Sequence, residues 1–276
     1  MSVHSRYRTG LWHPYEKPMY GVLLNPYHPL ACGLVGCWLF NEGGGNTVFD
    51  LSGNANHGTL GGGTAGYCPA WTVENFGSVL SFDGNDDYVD CGNDESLNIT
   101  NAITIEAWIK TTQTEQGWIL AKFGFDNTGG YGICVHWNKL QFTTKVGDTW
   151  DDLVSDQSIN DGKLHCLVAT YDGSTKALHI DGSSDKSKPY SGTLVSNSDP
   201  VFIGKSTTEW SDPLCGTISF SRLWNRGLSH DEIQKLYTNP FCMFYHPLEA
   251  EMLYAAAPPA GIVPQVMHHY RMLREV

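Results

Sequence analysis

The sequence predicts an all-β protein, and two observations carry that expectation. Thirty glycines and 13 prolines, with 41% hydrophobic and 17% charged residues, suit many short strands joined by turns better than long helices. Short runs alternate between apolar and polar residues, and the dipeptides Asp172-Gly173 and Asp181-Gly182 are the kind that close hairpins. A chain of 276 residues can form one such domain with tails.

Residues 1–32 read as an aromatic, proline-containing arm. Pro14, Pro18, Pro26 and Pro29 disfavour helix, while Trp12, Tyr15, Tyr20 and Tyr27 imply that the arm docks on something. The body spans residues 33–240. Its first buried strand is 34–40, followed by a glycine-rich break and a loop in which Asp50, Asn54 and Asn56 offer oxygens. His57 in that loop reads as a hydrogen-bonded packing residue. Residues 79–83 alternate as a half-buried strand, Gly84-Asn85 reverses the chain, and extended character resumes at 88–91. Asp83, Asn85, Asp86 and Asp87 therefore crowd onto one short turn. Turns favour such residues, and a hard cation such as calcium favours the same oxygens.

Residues 103–110 place Ile103, Ile105, Ala107 and Ile109 on one face and Thr104, Glu106, Trp108 and Lys110 on the other; the aliphatic face is core. Further strands are expected at 117–123, 131–137, 139–145, 164–171, 176–180, 201–205 and 216–224. One short helix starts at Ser229, where Ser229 to Glu232 forms a capping-box pattern, and stops before Pro240. Residues 241–276 form a C-terminal extension with a Pro/Ala linker and a basic, aromatic tail.

Together the segments 33–60, 80–92, 103–110, 165–182 and 216–237 (GLVGCWLFNEGGGNTVFDLSGNANHGTL, LSFDGNDDYVDCG, ITIEAWIK, HCLVATYDGSTKALHIDG and GTISFSRLWNRGLSHDEIQKLY) resemble the laminin-G-like jelly-roll family of the concanavalin A-like lectin and glucanase superfamily. The resemblance covers roughly residues 33–239. It implies a jelly-roll sandwich of two stacked antiparallel sheets, with the first and last long strands adjacent. It also implies a cation site at the D-x-S-G-N-x-N-H-G segment, giving the expectation that Asp50, Asn54, Asp83 and Asp87 surround one calcium ion tying two loops together. The carboxylate common in the family's last long strand is missing, since that stretch reads Ile218-Ser219-Phe220-Ser221.

A formal charge of -12 repels phosphate backbones and anionic lipid, so nucleic-acid binding is not expected, and no 18-residue apolar run suggests a membrane span. The N-terminus lacks the apolar region of a signal peptide, which points to synthesis in a cytoplasm, with virion or extracellular location after release. The eight scattered cysteines, none in C-x-x-C spacing, read as reduced; Cys134 and Cys166 lie inside apolar strands.

Glu106 stands without the second carboxylate that a glycosidase needs, and no other catalytic motif is present, so a non-catalytic binding or structural protein is expected. The alternative is a glycosidase or lyase pairing Glu106 with an acid from another strand. Trp108, Trp118, Trp137, Trp150 and Trp210 are the candidate ligand-binding residues, because sugar faces stack on aromatic planes. The order of arm, body and tail resembles phage and metagenomic viral proteins. Exposed aromatic arms mark contact surfaces, so a homo-oligomer or larger particle is expected, with 241–245 packed on the body and 1–20 and 262–276 reaching other chains; the alternative is that both arms wrap their own sandwich.

Overall fold

The computed structural model describes residues 16–123, 129–206 and 212–245. In these the chain forms strands β1 (Leu34–Trp38), β2 (Thr47–Val48), β3 (Gly58–Leu60), β4 (Ala70–Glu74), β5 (Gly77–Asp83), β6 (Val89–Asp90), β7 (Ile103–Lys110) and β8 (Gly117–Phe123). Then follow β9 (Gly130–His136), β10 (Lys139–Val146), β11 (Thr149–Ser158), β12 (Leu164–Tyr171), β13 (Thr175–Ile180), β14 (Ser183–Pro189), β15 (Phe202–Ile203), β16 (Cys215–Trp224) and helix α1 (His230–Thr238). They build the expected jelly-roll sandwich. The first sheet runs β14-β13-β12-β7-β16-β5-β4, with β1 also on β16, and the second runs β11-β10-β9-β8-β15-β6-β3-β2.

Period-two alternation places the core. Ile103, Ile105, Ala107 and Ile109 of β7 meet Leu120, Ile133, Val135, Leu140 and Phe142 of the second sheet, all essentially inaccessible to water. Each large aliphatic side chain so buried contributes about 1.5–3 kcal/mol. The first and last long strands pair directly, with Leu34 opposite Trp224 and Trp38 opposite Ser221.

The outer face of the first sheet is buried too. Trp108, Cys166, Val168, Phe220 and Trp224 form a second core with Ile233 and Leu236 of α1, Leu30, and Phe241, Met243 and Phe244. Within it Arg222 Nη2 lies 2.8 Å from Glu106 Oε1, both side chains at 0% exposure. Arg222 Nη1 donates to the Pro240 carbonyl at 2.6 Å, and Trp108 Nε1 donates to Glu106 at 3.0 Å. Helix α1 is fixed above them by the capping box read from the sequence, with both reciprocal bonds between Ser229 and Glu232 present.

Residues 241–245 thus pack on the body, and Leu24 pairs with Phe244, joining the two terminal segments. The described part of the N-terminal arm docks on its own sandwich: Lys17 is buried, and its ammonium donates to the carbonyls of Phe40, Ser78 and Ser219. Residues 1–15 and 246–276, including Trp12, Tyr15, Tyr254 and the tail expected to reach other chains, lie outside the described residues. All eight cysteines are unbridged.

Three elements the sequence did not suggest are edge strands. Strand β4 has little burial, β14 reads Ser-Ser-Asp-Lys-Ser-Lys-Pro, and β11 is rich in aspartate. In β11 and β14, charge and proline guard the sheet edges against edge-to-edge pairing and erase the hydrophobic signal. β14 and β11 close one flank of the sandwich through Lys188–Asp151 at 2.7 Å and Lys186–Asp156 at 2.6 Å, while Asp185 accepts the amides of Asp156 and Gln157.

Two outcomes follow for the covered face. Removing one member of the buried pair, as in Glu106→Leu, should cost about 3–5 kcal/mol in urea unfolding, and Glu106→Leu with Arg222→Met should recover most of it. His179 of β13 stacks on His230, 5.5 Å between centroids, and burial with the neighbouring imidazole lowers its pKa from 6.5 to about 4. The unfolded chain then binds the extra proton between those values, so stability should fall as pH drops from 6.5 to about 4. His179→Leu should flatten that stretch of the urea-midpoint profile.

Candidate ligand-binding site

With the first sheet covered on both sides, the outer face of the second is the broad surface left among the described residues. Cα partners trace one row across it: Asp90 opposite Phe202, Phe202 opposite Ala121, Ala121 opposite Gly132, Gly132 opposite Thr143, and Thr143 opposite Asp152. Six strands at ordinary spacing make this row roughly 24 Å long.

Its centre is a cluster of three rings, of which Trp150 is the part-exposed one. Strict alternation would put Trp118 on the same face as Leu120, in the core, but the register shifts between these residues. A bulge re-aims the side chain, so that Trp118 joins Ala121 and Phe123 on the outer face. Gly132 leaves room beside them, since a Cβ there would lie 2.9 Å from Phe123 Cε2. The Phe123 ring meets Trp118 edge-on at 4.6 Å and Trp150 at 5.4 Å. Such pairs add about 0.5–1.5 kcal/mol each beyond burial and hold the rings in fixed orientations. Trp118 and Phe123 are buried and Trp150 half-buried. Beside them Gln141 Nε2 donates to Thr143 Oγ1 at 3.1 Å, Thr143 Oγ1 donates to Asp152 at 2.5 Å, and Lys145 Nζ lies 5.7 Å from the Trp150 ring centre.

At the other end of the row Tyr88 meets Phe202 edge-on at 5.6 Å and Tyr67 lies 6.2 Å from Tyr88. Lys205 Nζ sits over Tyr88 at 3.2 Å and over Phe202 at 4.5 Å. Burial lowers the Lys205 pKa, against the opposing pull of Asp90. Aromatic faces with hydrogen-bonding groups at their margins can stack on sugar rings and orient hydroxyls.

Of the candidate tryptophans, the structure brings Trp118 and Trp150 together through Phe123. Trp108 lies on the other sheet, sealed between Phe220 and Tyr237 at 5.6 and 5.8 Å, so it presents no face to a ligand. Trp210 lies outside the described residues. Trp137, expected to end a strand, is instead the first residue of the turn between β9 and β10, 63% exposed, with φ +47° followed by Asn138 at φ +69°. A left-handed conformation costs a residue with a Cβ about 1–2 kcal/mol. Phe123, Tyr88, Phe202, Lys145 and Lys205 were missed, although Phe123 was legible as an alternate residue of its strand.

The four expected cation ligands are not brought together. Asp50 pairs with the β1 end of the sandwich, its carboxylate accepting from the amides of Cys37, Ser52 and Asn56 and from the Ser52 hydroxyl. Asn54 donates to the Leu34 carbonyl and to Ser52 Oγ. Cys37 stands opposite Arg222 and Asp83 opposite Cys215 on the same strand β16. Seven residues of strand separate those partners by about 23 Å, so one ion cannot bridge both pairs. Asp83, Asp86 and Asp87 do converge, with carboxylate oxygens within 4.8 Å of one another. Burial, together with the charges of Asp83 and Asp86, raises the Asp87 pKa, while hydrogen bonds from Asn85 lower that of Asp83.

Glu106, on which a glycosidase alternative rested, is equally committed. It is sealed beneath α1 with Arg222 and Trp108 and points away from the aromatic row.

A family model described as the concanavalin A-like lectin/glucanases superfamily, of laminin-G type, matches residues 83–234. A search of curated proteins finds no match. Among solved structures, the binding domain of Paraclostridial Mosquitocidal Protein 1 superposes with TM-score 0.63 at 16% identity, covering 77% of this chain and 53% of that one. Domain 4 of AbnA, a GH43 extracellular arabinanase from Geobacillus stearothermophilus, in complex with arabinotriose, gives 0.61 at 17%, covering 74% and 98%. The binding domain of Botulinum neurotoxin DC in complex with rat synaptotagmin II gives 0.56 at 15%, covering 75% and 51%. The chain thus spans about half the length of the two toxin domains and nearly all of the arabinanase domain.

Proposed function

The chain belongs to the concanavalin A-like lectin/glucanase superfamily through its laminin-G-type domain, and on that premise we propose that it is a non-catalytic glycan-binding module whose ligand lies across the outer face of the second sheet. The observation that carries this reading is the half-buried ring of Trp150, backed edge-on by the Phe123–Trp118 pair and bordered by Gln141, Thr143, Lys145 and Asp152. Rigid rings beside polar groups recognise a sugar with little loss of side-chain freedom. The arabinanase domain, matched over almost its whole length and bound to arabinotriose, supports a saccharide over a protein ligand. Attachment to a larger particle or to copies of the chain would rest on residues 1–15 and 246–276; the binding reading rests on the sandwich alone.

Trp150→Ala should lower glycan affinity about tenfold or more, near 1.4 kcal/mol, in calorimetric titration with arabinotriose or with the best ligand on a glycan array. Undiminished affinity, or binding confined to a protein receptor, would exclude the reading.

Calcium, where bound, would be held by Asp83, Asp86 and Asp87, whose hard oxygens suit it, and would fix the turn after β5 without entering any chemistry. Calcium should then raise the melting temperature of the wild type but not of Asp86→Ala. Asp50→Ala should instead cost about 1–3 kcal/mol equally in calcium and in chelator, because it strands backbone amides rather than an ion. A melting curve indifferent to both calcium and chelator rules out the metal.

A further inference from the structure

The hairpin between β9 and β10 carries a residue that fold stability does not ask for. Both central residues of its two-residue turn have positive φ, a conformation that Asn-Gly fills without strain. Asn138 suits its place: its side-chain oxygen accepts from Asn160 at 2.9 Å and its carbonyl accepts the Ile159 amide at 2.8 Å. Trp137 does not suit its own. It holds the largest of side chains in a left-handed conformation, 63% exposed, with its ring edge-on to His136 at 6.0 Å. Strain of this kind persists where the surrounding structure enforces it, and it gathers at functional positions.

The position of the turn says what the ring is for. Cys134 of β9 lies in the aromatic cluster opposite Trp118, and His136 follows on the same face. Trp137 follows His136, the partner of Lys139, whereas Trp150 is the partner of Lys145, so roughly 20 Å of β10 separates the two tryptophans. One sugar ring cannot cover that distance, whereas a short oligosaccharide can.

We infer that Trp137 is a distal stacking subsite, engaging the far unit of a saccharide chain whose other end lies on Trp150 at the opposite end of β10. This inference rests on the glycan-binding reading. A lipid-inserting wedge fits less well, since the tip is one ring flanked by Asn138, Lys139 and Asn160 on a chain of charge -12.

The test is an array of defined oligosaccharides, from disaccharides to hexasaccharides of arabinan, xylan, glucan, galactan and sialylated series, probed with wild type, Trp137→Asn, Trp137→Tyr and Trp150→Ala. Trp137→Asn should melt at a higher temperature, because the turn is relieved. It should nonetheless lose about tenfold in affinity for the longer chains and less than about twofold for disaccharides. Trp137→Tyr, which keeps a ring, should retain most of the long-chain affinity. If Trp137→Asn matches wild type at every length while Trp150→Ala loses binding, the distal subsite is overturned and the glycan reading stands. Silence of the wild type at every length overturns both. Loss of partitioning into phosphatidylcholine vesicles in Trp137→Asn, with array binding unchanged, makes the residue a membrane wedge and also overturns the subsite.

Discussion

The buried contact between Glu106 and Arg222 decides which surfaces of this protein are free. A carboxylate and a guanidinium at zero exposure hold each other only if everything around them stays closed. Closure comes from α1, from Leu30 and from residues 241–244, with Arg222 also bonded to the Pro240 carbonyl. The first sheet therefore has a core on each side. A sandwich sealed in this way keeps its second sheet as the broad face available to a ligand, and the aromatic row lies there.

The same closure explains why the described terminal residues, 16–32 and 241–245, belong to the body. Buried lysines act as ties wherever strands from distant parts of the chain leave carbonyls unpaired. Lys17 joins Phe40, Ser78 and Ser219, and Lys176 joins Phe142 to Asp151. Each such ammonium offers three donors and no acceptor, so it satisfies several strand ends at once. Its desolvation is the opposing cost, visible as a Lys17 pKa lowered to about 7 and a Lys176 pKa lowered to about 8.

Strands with an aliphatic side were legible in the sequence, because burial on one face imposes alternation. Ile103–Lys110, Gly117–Phe123 and Leu164–Tyr171 stand where that pattern put them, and Ser229 with Glu232 marked the helix start. Edge strands β11 and β14 left little trace, since these edges are protected by charge, not by apolar contacts. The candidate site was half legible. Trp118 and Trp150 were selectable as tryptophans, but their union depends on Phe123, on the vacancy at Gly132 and on a register shift that no periodicity contains. The grouping of Asp50 with Asp83 failed for a geometric reason: both loops serve β16, at opposite ends.

Alternation also separates what the fold needs from what a ligand needs. Inward residues of β8 to β10, such as Leu120, Ile133 and Phe142, are bound to the shape of the sandwich. Their outward neighbours Ala121 and Gly132 answer instead to the aromatic cluster, and Thr143 to its polar border. The bulge beside Trp118 is the point where this separation is crossed. By slipping the register one place, it takes a residue whose parity belongs to the core and hands it to the surface. The cluster therefore draws on both sets of positions, which ties its geometry to the rigidity of the core rather than to the freedom of a loop.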